Sequence, residues 1–113
     1  MDIINKTEIM KETIGISTYK SEDKDAAIIC AKSADELLTI GNITASFVIG
    51  NVGEKISISG RSIGDINVQL ILEKMGGGGH STLAGAQVEG KDISEVKEEL
   101  IEKINEYFEE IQN

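Results

Sequence analysis

Two hydrophobic periods take turns along this chain, and their order limits the folds open to it. Residues 13–19, TIGISTY, alternate Ile14, Ile16 and Thr18 with other neighbours, the period-two pattern of a strand with one apolar face. Between Asp25 and Leu38, Ala27, Cys30, Ala31, Ala34, Leu37 and Leu38 fall three and four apart. That spacing predicts an amphipathic helix whose small residues allow close packing on a sheet. Ser21 or Asp23 is placed to cap it, and Gly41 with Asn42 to stop it. ITASFVIG (43–50) is rich in strand formers, and Phe47, Val48 and Ile49 make it apolar on both faces, as in a central strand. After the turn NVGEK, KISISGRS sets Ile56 and Ile58 against Ser57 and Ser59, so these two strands predict a hairpin.

Helical spacing returns at Val68, Ile71, Leu72 and Met75, with Asp65 as the expected cap and Gly76 as the stop. LAGAQVEG (83–90) suits a last short strand. Asp92 and Glu95 form an approximate capping box. Behind it Ile93, Val96, Leu100, Ile101, Ile104, Tyr107, Phe108 and Ile111 draw one apolar stripe along a long C-terminal helix. MDIINKTEIMKETIG has Ile3, Ile4, Ile9, Met10 and Ile14 but no clear start signal, and reads as the end of a helix entered from upstream. The expected order is α, β, α, β, β, α, β, α. It defines an α/β (α+β) fold with a mixed sheet of about four to five strands and about three to four helices, residues 1–113 forming a single domain. The unclear start and the absence of proline suggest a piece of a longer protein.

With 4% aromatics among 113 residues, the core must be filled by Ile, Val, Leu and Ala. No apolar run approaches the length a membrane-spanning helix needs. Cys30 is the only cysteine, so the chain has no internal disulfide and no thiolate metal site, and Cys30 is expected on the apolar face of its helix. The net charge is −9, and two thirds of it lies from Asp92 onward, where eight acidic residues face Lys97 and Lys103. Such a chain lacks the field that gathers long nucleic acids by counterion release. A small anion in a local pocket is still allowed.

The chemistry concentrates in SISGRSIGD and LEKMGGGGHSTLAG. Arg61 stands at a strand end between Ser59 and Ser62, and its planar fork suits phosphate oxygens as well as a neighbouring carboxylate such as Asp65. Four consecutive glycines are costly to order, because glycine loses more conformational freedom on folding than any other residue. Gly76 serves as a left-handed cap. The later glycines leave backbone N–H groups that can line a concave anion site, or else form a flexible linker. There is no GK[ST], so this is not a P-loop. His80 ends the tract and is the only histidine, so it suits a phosphate or base contact, or an exposed surface position. No Ser-His-Asp set and no metal cluster accompanies these residues. The pattern suits binding a phosphorylated ligand rather than hydrolysing one.

The stretch SISGRSIGDINVQLILEKMGGGGHSTLAGAQV resembles the C-terminal, DHH-associated domain of the Asp-His-His (DHH) phosphoesterase superfamily, with Arg-Ser, a helix, GGGGH and Ala-Gly as its signature. NVQLILEKMGGGGH is nearest to the cyclic-di-AMP phosphodiesterases of the GdpP/YybT type. The resemblance covers about residues 13–110. It implies that Ser59, Arg61, Ser62, Gly77, Gly78, Gly79, His80, Ala84 and Gly85 contact a cyclic dinucleotide or short nucleotide substrate. It also implies that two Mn2+ ions sit in a separate catalytic DHH domain, that this chain alone has no catalytic residue or metal and is inactive, and that the domain is cytoplasmic in a membrane-anchored parent.

Two other readings stay open. One is the same domain of an oligoribonuclease or 3′-phosphoadenosine-phosphate phosphatase. The other is a non-catalytic RNA-binding module, which the acidic charge opposes. The expected partners are the small nucleotide and the parent's catalytic domain, without long nucleic acid; a homodimer is a further option, and the C-terminal stripe packs either on its own sheet or on a partner.

Overall fold

Phe47, Val48 and Ile49 are all completely buried, so the strand through them lies inside a sheet covered on both faces. The computed structural model describes residues 2–22 and 24–112. In chain order it comprises α1 (Asp2–Asn5), β1 (Glu8–Met10), β2 (Ile14–Tyr19), α2 (Ala26–Leu37), β3 (Ala45–Val52), β4 (Lys55–Ser62), α3 (Val68–Glu73), β5 (Gly78–His80), β6 (Leu83–Val88) and α4 (Ile93–Gln112). One six-stranded mixed sheet runs β1-β2-β3-β4-β6-β5. Only β2 and β3 are parallel, joined through α2; the other neighbours are antiparallel. The fold is therefore α/β, with one strand more than the four or five expected.

Strand alternation divides the core between the two faces. Ile14, Ile16, Phe47, Ile49, Ile56 and Ile58 meet α3 and α4 on one face, with Val68, Ile71, Leu72, Val96, Leu100 and Ile104. Val48 meets α1 and α2 on the other, through Ile3, Cys30, Ala34 and Leu37. The C-terminal stripe thus packs on the chain's own sheet, with Ile111 left exposed. Its capping box is formed: the Asp92 N–H donates to Glu95 Oε1 at 3.1 Å and the Glu95 N–H to Asp92 Oδ1 at 2.9 Å. Desolvation in the α2 core pushes the Cys30 thiol up to about 11.

Several local expectations change. The N-terminal segment holds one helical turn and then strand β1, paired with β2 across Lys11 and Glu12, whose φ angles of 52° and 69° make the turn without glycine. Three largely exposed residues are too few to display a period, so only pairing with β2 reveals this strand. Asp25 occupies the α2 N-cap rather than Ser21; Asp23 lies outside the described residues. Asn67, not Asp65, caps α3, its side chain accepting the Leu70 N–H at 3.0 Å. No described helix is long and apolar enough to cross a membrane.

Candidate functional site

The alternation of β4 sorts its residues. Ile56, Ile58 and Gly60 turn toward α3 and α4, so Ser57, Ser59 and Arg61 turn the other way. Pairing extends this second set into rows across the sheet. Ser46, Arg61, Leu83 and His80 are successive partners in one row, and Val48, Ser59, Gly85 and Gly78 in the next; Ser57 pairs with Gln87. Helix α2 lies over β3 and reaches across part of β4, where Ser59 is buried; beneath it the Ser46 hydroxyl donates to Ala34 O at 2.6 Å. Beyond α2 the face of β6, β5 and the uncovered part of β4 lies open. A groove of about 610 Å³ runs there, with Ala27 of α2 on one wall and Ser59, Arg61, Gly77, Gly78 and Gly85 among its lining.

Arg61 is held in place rather than loose at a loop. Its Nε donates to Asp35 Oδ1 at 2.8 Å and its Nη1 to Gly60 O at 2.9 Å, and its side chain is only 12% exposed. The partner is Asp35 of α2, not Asp65. A guanidinium has five N–H donors, so Arg61 can keep Asp35 and still meet an anion in the groove.

The glycine tract turns out to be half cap and half strand. Gly77 N–H donates to Leu72 O at 2.9 Å and Gly76 N–H to Glu73 O at 3.2 Å, a Schellman ending of α3 with Gly76 at φ +82°. These two N–H groups are committed to the helix end, so they do not form the expected anion-binding concavity. Gly78, Gly79 and His80 then pair with β6 as an edge strand. A Cβ on Gly77 would stand 2.2 Å from Gly85 O, and one on Gly79, at φ +144°, 2.5 Å from Leu83 O. Gly78 differs: a Cβ there would meet nothing within 4 Å, and its φ is not positive. Folding explains three of the glycines. The fourth borders the groove.

The structure therefore brings Ser59, Arg61, Gly77, Gly78, Ala84 and Gly85 together around one groove. His80 is exposed on β5, in the Arg61–Leu83 row, and Gly79 lies beside it. Ser62 is not brought in. It is buried on the opposite face, and its hydroxyl accepts the Gly64 N–H at 3.0 Å, which shapes the turn after β4. Asp35, Ala27, Ser57 and Gln87 are additions from the structure. Ser57 and Gln87 share the parity of Ser59 and Gly85, which was a usable signal. Asp35 reaches Arg61 across 26 residues, and nothing local announces it.

The acidic α4 lies on the far face, where lysines partly neutralise it: Lys74 pairs with Glu106 and Glu110, Lys91 with Glu99, Lys97 with Glu8 and Lys103 with Glu106. Hydrogen bonds to Glu110 and Glu99 hold the Lys74 and Lys91 ammonium groups above their ordinary values. These charges are solvent-exposed on the opposite side of the sheet, and at physiological salt the Debye length through solvent is about 8 Å, which weakens their field at the groove. Among the described residues no three His, Cys, Asp or Glu side chains are grouped to hold a metal.

Known proteins match this architecture. The DHHA1 domain family model matches residues 9–110, and the chain belongs to that family. It is 40% identical over 108 residues to the cyclic-di-AMP phosphodiesterase GdpP of Geobacillus thermodenitrificans, covering 95% of this chain and 16% of the relative. With the cyclic-di-AMP phosphodiesterase PdeA of Listeria monocytogenes it shares 38% over 107 residues, again 16% of that protein and 94% of this chain. The chain thus spans about a sixth of these relatives. Two solved structures share the fold at low identity. An exopolyphosphatase-related protein from Bacteroides fragilis superposes with a TM-score of 0.73 and 19% identity over 96% of this chain and 32% of its own. The C-Ala domain of Aquifex aeolicus alanyl-tRNA synthetase gives 0.67 and 17% over 90% of this chain and 96% of its own.

Proposed function

We propose that this domain is the substrate-holding part of a cyclic-di-AMP phosphodiesterase that yields pApA. The observation that carries the reading is the open groove, which joins the Arg61 guanidinium to a backbone strip free of side chains at Gly77, Gly78 and Gly85. Arg61, fixed by Asp35 and Gly60 O, supplies a preoriented cation for phosphate. The glycines let a nucleotide approach the backbone, and His80 stands in the same row as a second contact. The similarity to GdpP and PdeA over nearly the whole chain supports this substrate class. In this reading the reacting metals, manganese by the family resemblance, belong to another domain of a membrane-anchored parent, and the present residues bind and orient.

The test is a nuclear magnetic resonance titration of the chain with cyclic di-AMP, pApA and a short RNA. Saturable shifts at Arg61 and Gly77 to His80 are expected with the dinucleotides. Arg61→Ala should weaken pApA binding by about tenfold or more, the scale of a charged hydrogen bond, while the amide spectrum stays folded. Unchanged affinity in Arg61→Ala, or stronger and steeply salt-dependent binding of the RNA, would overturn the reading.

A further inference from the structure

The groove has two chemically different ends, and only one suits a phosphate. Arg61 and Ser57 are four residues apart on β4, about 13 Å along the strand. The Arg61 end is cationic. The other end is the Ser57–Gln87 pair, adjacent partners on β4 and β6, and both residues line the groove. It offers a hydroxyl and a primary amide without charge. Among the described residues no side-chain hydrogen bond engages either group, although Gln87 is exposed and Ser57 half-buried. The next cation on this face, Lys55, is paired with Glu89 and does not line the groove, so this end has no charge of its own to set against a second phosphate. It can satisfy the edge of a heteroaromatic ring, which needs neutral donors and acceptors side by side.

Between the ends, Gly85 and its partner Gly78 place two residues without side chains next to each other on the open face. Gly78 has no steric or conformational reason of its own to be glycine. A flat ring can lie on these peptide planes, with Ala27 of α2 as a low wall beside it. The distance to Arg61 is one that a nucleoside monophosphate bridges once the reach of both side chains is counted.

We infer that Gln87, with Ser57 beside it, reads the base of the bound nucleotide and selects adenine. This rests on the reading of the groove as a nucleotide site and adds the residue that sets its base preference. The glutamine amide presents an acceptor and a donor side by side, which complement N6–H and N7 of adenine. On that same edge guanine shows two acceptors, O6 and N7, and offers the amide oxygen no donor, so the selection requires the ring to turn its N7 edge, not its N1 edge, toward Gln87. A carboxylate at position 87 would instead accept from the N1–H and N2–H donors of guanine.

The test compares pApA with pGpG by calorimetric titration of the wild-type chain, Gln87→Ala, Gln87→Glu and Arg61→Ala. Gln87 is exposed on the sheet face, so its variants should keep the fold, checked by amide spectra. The wild type is expected to favour pApA by about tenfold, the scale of one bidentate base contact. Gln87→Ala should bring the ratio close to one, and Gln87→Glu should turn it toward pGpG. A wild type without preference, or a Gln87→Ala variant that keeps it while Arg61→Ala loses binding, overturns the base-reading role and leaves the nucleotide site standing. A folded wild type that binds neither dinucleotide overturns both.

Discussion

The two faces of the sheet are made from the same strands and have opposite characters. Under α3 and α4 the face is dry and filled by branched aliphatics around Phe47. On the other face α2 and α1 cover β2, β3 and part of β4, and the rest, with β6 and β5, carries serines, an arginine, a glutamine and glycines around an open groove. One strand, β4, serves both: Ile56 and Ile58 belong to the core, Ser57, Ser59 and Arg61 to the groove. The difference teaches that a small domain with few aromatics can leave part of one sheet face open and polar, provided the opposite face is packed without a break.

Breaking the packed face should have the largest effect. Phe47 is fully buried in the larger cluster, so Phe47→Ala should cost about 3–5 kcal/mol and unfold much of the population, read as a lowered urea midpoint. A loss below about 1 kcal/mol would mean that the face tolerates a void and is less tightly packed than described.

The next effect concerns how dry the α2 half is. Burial raises the Cys30 thiol from its ordinary 9.0 to about 11. The folded state therefore keeps its proton where the unfolded state loses it. The stabilisation is fully present below pH 9 and falls away between pH 9 and 11, by up to about 3 kcal/mol at the upper end. Urea midpoints across this range should fall more steeply for the wild type than for Cys30→Ala, which lacks the thiol. Equal slopes would mean that water reaches Cys30 and that this half resembles the groove.

The smallest and most local contrast sits within the glycine tract. Gly77→Ala drives a Cβ into Gly85 O and should cost about 1–3 kcal/mol, as overpacking does. Gly78→Ala points into open space and should change stability by no more than about 0.5 kcal/mol, while hindering ligand approach. Equal losses in thermal melts of the two variants would erase the distinction between a glycine kept for folding and one kept for the groove.

Most of this division was legible in the sequence, for one reason: alternation and helical spacing report burial directly. The strands at 14–19, 45–52 and 55–62, the three longer helices and the Asp92–Glu95 capping box all announce themselves locally. What was not legible depends on partners distant in the chain. Glycine discourages strand structure, so Gly78–His80 becomes a strand only because β6 lies beside it. Arg61 could be placed at the end of a strand, but Asp35, 26 residues earlier, comes into reach only when α2 folds over the sheet. Ser62 shows the limit of adjacency. It neighbours Arg61 in sequence and faces the opposite side of the sheet, because one residue along a strand reverses direction.

That reversal also bears on how such a domain can diverge over evolutionary time. Neighbouring codons of β4 and β6 answer to different selective pressures. Changes at positions 57, 83 and 87 alter what the open face presents and leave the hydrophobic interior nearly untouched. Changes at 56, 58, 84 and 86 are filtered for foldability whatever the ligand. A scaffold of this kind can therefore vary the open face at alternate residues without passing through unstable intermediates.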